Sequence, residues 1–206
     1  PLLPDVIAGL QDEAGGVRYA AAFALGRIGA TPEATAALQQ TMKQDDAFLR
    51  MVSAWAIARN NPSDRAAVGR AVDLILEAFK STDVHLRRAA ASIAVDFDAP
   101  VEKVAPLLVA ALRDRDADVV GNAIEALSQL GPKALQHIDD VLDNRELRPY
   151  AVQLIQRMGT KAESAVPALV RLLREPAEAE EDVMFQREVQ FALAAIGPAA
   201  AEAVPA

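Results

Sequence analysis

The residues here best suited to acid–base or metal chemistry are two histidines and 29 carboxylates, and there is no cysteine. His85 and His137 stand apart, and neither has a nucleophile or a second histidine at useful spacing. Metal centres need several converging ligands, and acid–base work needs a partner within hydrogen-bond reach. No catalytic residue, metal or cofactor is therefore expected. The missing cysteine removes thiolate chemistry and disulfides but leaves the compartment open, with the cytoplasm as the expectation. The acidic run "EPAEAEED" at 175–182 reads as a site for a cation or basic partner, or as a solvated loop, the commoner meaning of such runs. Arg18, Arg50, Arg87 and Arg148 recur at one place in a repeated motif. They form an anion-binding row, or a ladder in which each guanidinium pairs with carboxylates or carbonyls near a capping Asp. The several donors of arginine suit the ladder. The net charge is -8, with 11 basic against 17 acidic residues in 101–206. The basic footprint of a nucleic-acid binder is missing. No apolar run approaches membrane-spanning length, and no signal peptide is evident.

A repeat positions these side chains. The chain is 52% hydrophobic but only 4% aromatic, and its alanine content favours closely packed helices. "VRYAAAFALGRIG" at 17–29 aligns with "LRMVSAWAIARNN" at 49–61 and "LRRAAASIAVDFD" at 86–98. It also aligns with "VVGNAIEALSQLG" at 119–131, "LRPYAVQLIQRMG" at 147–159 and "FQREVQFALAAIG" at 185–197. Spacings of 28 to 38 residues suit one helix pair per unit. Apolar or small residues at the first, fifth, eighth, ninth and twelfth positions make the stripe of an amphipathic second helix. Three residues upstream stand Asp46, Asp83, Asp116, Asn144 and Asp182, the expected N-caps. Gly29, Gly131, Gly159 and Gly197 close the helices, with Asn61 and Asp98 as weaker substitutes. Pro4, Pro106, Pro167 and Pro205 keep the same phase and predict the first turn of each first helix. The final "AEAVPA" reads as the opening of a seventh unit, so the chain is expected to be a segment of a longer protein. Residues 199–206 are expected to be weakly ordered, or helical only by leaning on the sixth unit.

The pattern Asp-x-x-Val-Arg-x-x-Ala-x-x-Ala-Leu-Gly-x-Ile-Gly, after a helix carrying Ala-Val-Pro-x-Leu, resembles the HEAT-repeat family. It is most similar to the short bacterial HEAT-like repeats also found in phycobilin lyase subunits. The resemblance implies an all-α, right-handed α-solenoid of about six antiparallel helix pairs plus a truncated seventh, one domain over 1–206. It implies fold far more than function, because such repeats serve scaffolds, adaptors and a few enzymes. Iron-binding HEAT-fold hydroxylases carry His-Glu dipeptides, and none occurs here.

In such solenoids the far face of the second helix lines the concave surface and is usually charged. At 100° per residue, positions 3, 7 and 11 of the motif lie on that face. Here it carries Tyr19, Phe23 and Arg27, then Met51, Trp55 and Arg59, then Arg88, Ser92 and Asp96. The sixth copy adds Arg187 and Phe191. Aromatics, methionine and arginine are the types enriched in binding hot spots. Either these residues form an exposed contact patch anchored by Trp55, or an upstream unit or superhelical curvature buries them. The leading expectation is a protein-interaction scaffold without chemistry of its own. It would bind a protein or peptide through Tyr19, Phe23, Arg27, Met51, Trp55, Arg59 and Arg88. The alternative is a phycobilin lyase-like subunit or a regulatory segment of a larger enzyme. Nucleic-acid binding, as in HEAT-like DNA glycosylases, is disfavoured by the charge.

Overall fold

The computed structural model describes residues 2–29, 31–97 and 99–201, and among these there are helices and turns but no strand. Packing divides the chain into two compact units, Pro1–Val104 and Ala105–Ala206. The first holds α1 (Leu3–Gly9), α2 (Gly15–Ile28), α3 (Pro32–Thr41), α4 (Ala47–Asn60), α5 (Arg65–Phe79) and α6 (Val84–Ile93). These pair as first and second helices of three repeats. α4 packs against α2, α3, α5 and α6 together. Every residue from 51 to 58 is consequently buried, as a helix that is apolar or small all round requires. The two polar residues buried at this contact satisfy each other. The Thr41 hydroxyl donates to the Leu38 carbonyl and shares a 2.7 Å hydrogen bond with Ser53.

α7 (Val101–Ala111) leads into the second unit. That unit continues with α8 (Ala117–Leu130), α9 (Pro132–Leu135), α10 (Asp139–Asp143) and α11 (Arg148–Met158). A 3-10 segment (Gly159–Ala165), α12 (Val166–Leu173), α13 (Glu180–Ile196) and α14 (Pro198–Ala201) follow. The short fifth repeat splits its first helix into α9 and α10. α14 leans on α13 and the 3-10 segment, with Ala200 buried. Residues 202–206, with Pro205, lie outside the described residues, as does Asp98.

The expected caps explain the starts of α4, α6 and α8. Asp46 accepts from the Leu49 N–H, Asp83 from His85, and Asp116 from Asp118 and Val119. The four closing glycines all have positive φ, from 56° to 97°, where a side chain would strain. Asn61 closes α4 at φ -139°, without entering the left-handed region.

Three expectations are corrected. Pro106 is not in a first turn but inside α7, which starts at Val101. The added turn buries Val104, and the carbonyl that loses its donor belongs to exposed Glu102. Asp182 is not an N-cap, because α13 starts at Glu180. Its carboxylate reaches back to accept from the Ala179 N–H at 3.2 Å. That hydrogen bond, with Arg145 nearby, holds its carboxyl below the usual range. Three acids in this first turn match the positive end of the helix, so only 175–179 of the acidic run is loop. Asn144 closes α10, and its side chain caps the turn ahead of α11, accepting from Glu146 and Leu147.

The arginines form the ladder. Within its own repeat, Arg18 donates to the carbonyls of Asp12 and Glu13, Arg50 to Gln44, and Arg87 to Ser81 and Thr82. Each thus ties its helix to the turn six and five residues back. Arg18 also pairs with Asp46 of the next repeat at 3.5 Å, and Arg148 with Glu175 at 2.7 Å.

Asp46 therefore serves two repeats, whereas Asp64 caps α5 through Ala66 and Ala67 alone. Asp64→Ala is expected to cost about 1 kcal/mol, the typical worth of a cap. Asp46→Ala should cost clearly more. Urea denaturation midpoints of the two variants check the order.

Candidate functional site

The face expected from motif positions 3, 7 and 11 is assembled in the first unit. Phe23 of α2 stacks on Trp55 of α4, with ring centroids 5.0 Å apart and planes at 16°. The Arg27 guanidinium lies 5.1 Å from the Phe23 ring and 5.6 Å from Trp55, and Arg59 lies 5.9 Å from Trp55. Asp96, at position 11 of the third repeat, locks the cations. It pairs with Arg27 at 2.5 Å through its carboxylate, and its carbonyl accepts from Arg59. Tyr19 stacks on Phe48 at 4.4 Å and donates its hydroxyl to Asp46 at 3.0 Å. Burial first, then that hydrogen bond and the Asp46 charge, push the Tyr19 phenol above its ordinary value of 10.0. Arg88 is half-buried on α6.

Trp55 and Met51 do not stand on the surface. Trp55 is 0% exposed and Met51 1%, so neither can touch a partner directly in this conformation. The cause is Gly26. A Cβ built there would fall 2.3 Å from Trp55 Cζ3. The missing side chain makes a notch in α2 that admits the benzo edge of the indole. Phe23 covers one ring face, and the two guanidinia flank it. α4 then reaches across to the end of α2. Arg59 Nε donates to the Gly26 carbonyl and Asn60 Nδ2 to the Leu25 carbonyl, both at 3.0 Å. Arg59 thereby satisfies a carbonyl at the helix end, while the Leu25 carbonyl, which also accepts from the Gly29 N–H, gains a second donor.

Part of this surface stays open to solvent. Phe23 remains 38% exposed and Ile28 64%, and the Arg27 side chain 44%. The stack adds about 0.5–1.5 kcal/mol beyond area burial, and each exposed cation–π contact about 0.5–1 kcal/mol. The half-exposed Arg27–Asp96 pair orients more than it stabilises. Phe48, Gly26 and Asn60 were not among the sequence candidates. Gly26, a glycine inside an apolar helix, was the signal available.

His85 is exposed in the first turn of α6, and His137 lies between α9 and α10. Among the described residues, no three His, Asp or Glu side chains converge to hold a metal ion. No helix among them is long and apolar enough to cross a membrane.

Gly26→Ala is expected to destabilise by about 1–3 kcal/mol, because overpacking outweighs the gain in helix propensity. At Gly69, where a Cβ meets nothing within 4 Å, the same change should stabilise by about 0.5–1 kcal/mol. Chemical denaturation of both variants checks the opposite signs. Trp55 is the only tryptophan, so fluorescence reports this site alone. Its emission should be blue-shifted and poorly quenched by acrylamide, and Trp55→Ala should cost about 3–5 kcal/mol.

Comparison with known proteins bears on the fold. No curated protein sequence matches the chain. An engineered protein of known crystal structure is similar at 20% identity and TM-score 0.50, covering 97% of this chain and 98% of its own. Computationally designed armadillo repeat proteins for modular peptide recognition are similar at 19% identity and TM-score 0.46, with 94% and 99% covered. The complex of CpcE and CpcF of phycocyanin lyase from Nostoc sp. PCC7120 is similar at 20% identity and TM-score 0.38, with 97% and 91% covered. The family model of HEAT repeats matches residues 2–58 and 72–148. With repeating helix pairs, capped and closed as above, across both matched stretches, the chain belongs to the HEAT repeat family.

Proposed function

We propose that this chain is a protein-interaction scaffold that holds a protein or peptide partner and performs no chemistry of its own. The observation that carries this is Phe23, an exposed aromatic ring stacked on the buried Trp55, with Arg27 over its own ring and Arg59 beside the indole beneath. A partner meeting Phe23 and Arg27 finds side chains whose rotamers are already fixed, so little conformational entropy is lost on contact. Anchors of this kind dominate binding energy. In this reading Trp55 and Met51 support the surface from beneath, Tyr19 and Arg59 fix its edges, and Arg88 extends it along α6.

The test uses the partner itself. A photoreactive benzoylphenylalanine replacing Phe23 is expected to give discrete cross-linked adducts in extract of the source cells, and the same group at exposed Glu77 none. Against the partner so identified, Phe23→Ala should weaken affinity about thirtyfold, the effect of losing roughly 2 kcal/mol at a hot spot. Equal cross-linking from both positions, or unchanged affinity in a folded Phe23→Ala protein, contradicts the proposal.

A further inference from the structure

In the first unit, the groove between successive second helices is filled from within. Tyr19, Phe48, Phe23 and Trp55 pack into it as two stacked pairs. In the second unit, the corresponding groove runs between α8 and α11. The same four motif positions there hold Gly121, Glu146, Glu125 and Gln153. Every aromatic has been replaced, and a pocket of about 220 Å³ lies in the groove. Buried Val120 and Ile124 form its floor, with Tyr150 and Gln153 at the sides. A Cβ on Gly121 would meet nothing within 4 Å. Arg157, which also lines the pocket, stands at the motif position of Arg59, the residue flanking the Trp55 ring. Its guanidinium is held by an ion pair with Glu125.

We propose that this groove receives an aromatic side chain from a partner protein, seated over Val120 and Ile124 with the Arg157 guanidinium against its face. The inserted ring supplies from outside what Trp55 supplies from inside in the first unit. Charge fixes the rest of the recognised segment. Residues 101–206 carry 17 acidic against 11 basic side chains, so the field around the groove favours a positively charged segment. The aromatic residue is therefore flanked by lysine or arginine. An adjoining pocket of about 320 Å³, which shares Tyr150 and is lined by Glu146, Asp114 and Arg113, takes the basic neighbour beside Glu146. This inference rests on the reading of the chain as a partner-binding scaffold, but it concerns the second unit and other residues.

The test is NMR titration of the whole isotope-labelled chain with acetyl-Lys-Trp-Lys-amide at millimolar concentration. Saturable shifts are expected at Val120, Gly121, Ile124 and Gln153. Acetyl-Lys-Ala-Lys-amide should leave those signals in place, and acetyl-Glu-Trp-Glu-amide should bind at least about fivefold more weakly. Gly121→Phe fills the groove from within and should abolish the response without lowering the melting temperature. If that variant fails to fold, Gln153→Phe, made from an exposed residue, serves the same purpose. Absent or scattered shifts, an equal response to the alanine peptide, or a full response in the filled variant overturns the proposal. Shifts centred on Phe23 and Arg27 would also overturn it while leaving the first-unit reading intact. A failed Phe23 cross-link would reject that reading and leave this one standing.

Discussion

The seating of Trp55 in the notch at Gly26 is the contact on which the first unit depends. A tryptophan on the far face of a helix has a large apolar surface to hide, and a neighbouring helix with ordinary side chains would hold it off. With no Cβ at Gly26, α2 and the indole approach closely. The ring is then fully buried, and burying a large aromatic is among the strongest single contributions a core receives. The rest follows from that approach. Arg59 and Asn60 come within reach of the last carbonyls of α2. Arg27 meets the Trp55 ring and is held there by Asp96. Phe23 has a flat apolar base and can stay partly in water.

Repetition extends this logic. One helix pair cannot cover its own apolar stripe, so stability is shared between neighbours. Where the second motif position is an arginine, it ties down its own turn, as Arg18, Arg50 and Arg87 do, or reaches an acid of the next repeat, as Arg18 and Arg148 do. Because the apolar stripe and these ties hold the helix pairs together, the residues at positions 3, 7 and 11 are free to vary. The first unit spends them on an internal aromatic stack. The second leaves a groove over Val120 and Ile124. The same scaffold thus presents two different surfaces.

Much of the fold was legible in the sequence because it is written in local chemistry. Asp46, Asp83 and Asp116 cap as their side chains dictate, and the four glycines take the positive φ that other residues avoid. The misplaced boundaries arose where tertiary burial decided. Val104 draws α7 back past Pro106, and the acids at 180–182 stabilise a helix start earlier than the repeat phase implied. The candidate face was legible in part, since Phe23, Arg27, Trp55 and Arg59 come together, while Tyr19 pairs separately with Phe48 and Asp46. Its exposure was not. Periodicity says which side of a helix a residue occupies, but not how closely the next helix approaches that side. Here one missing methyl group at Gly26 decides it, and Trp55 goes from expected contact to buried support.

The account turns on that contact, and a nuclear Overhauser measurement observes it directly. In the folded chain, the Trp55 ring protons on Cζ3 and Cη2 should give strong cross-peaks to the α-protons of Gly26, since those two ring carbons crowd the place a Cβ would occupy. Cross-peaks to the Phe23 ring should accompany them. An indole with no cross-peak to Gly26, its ring protons seeing chiefly solvent, would contradict the account and return Trp55 to the surface.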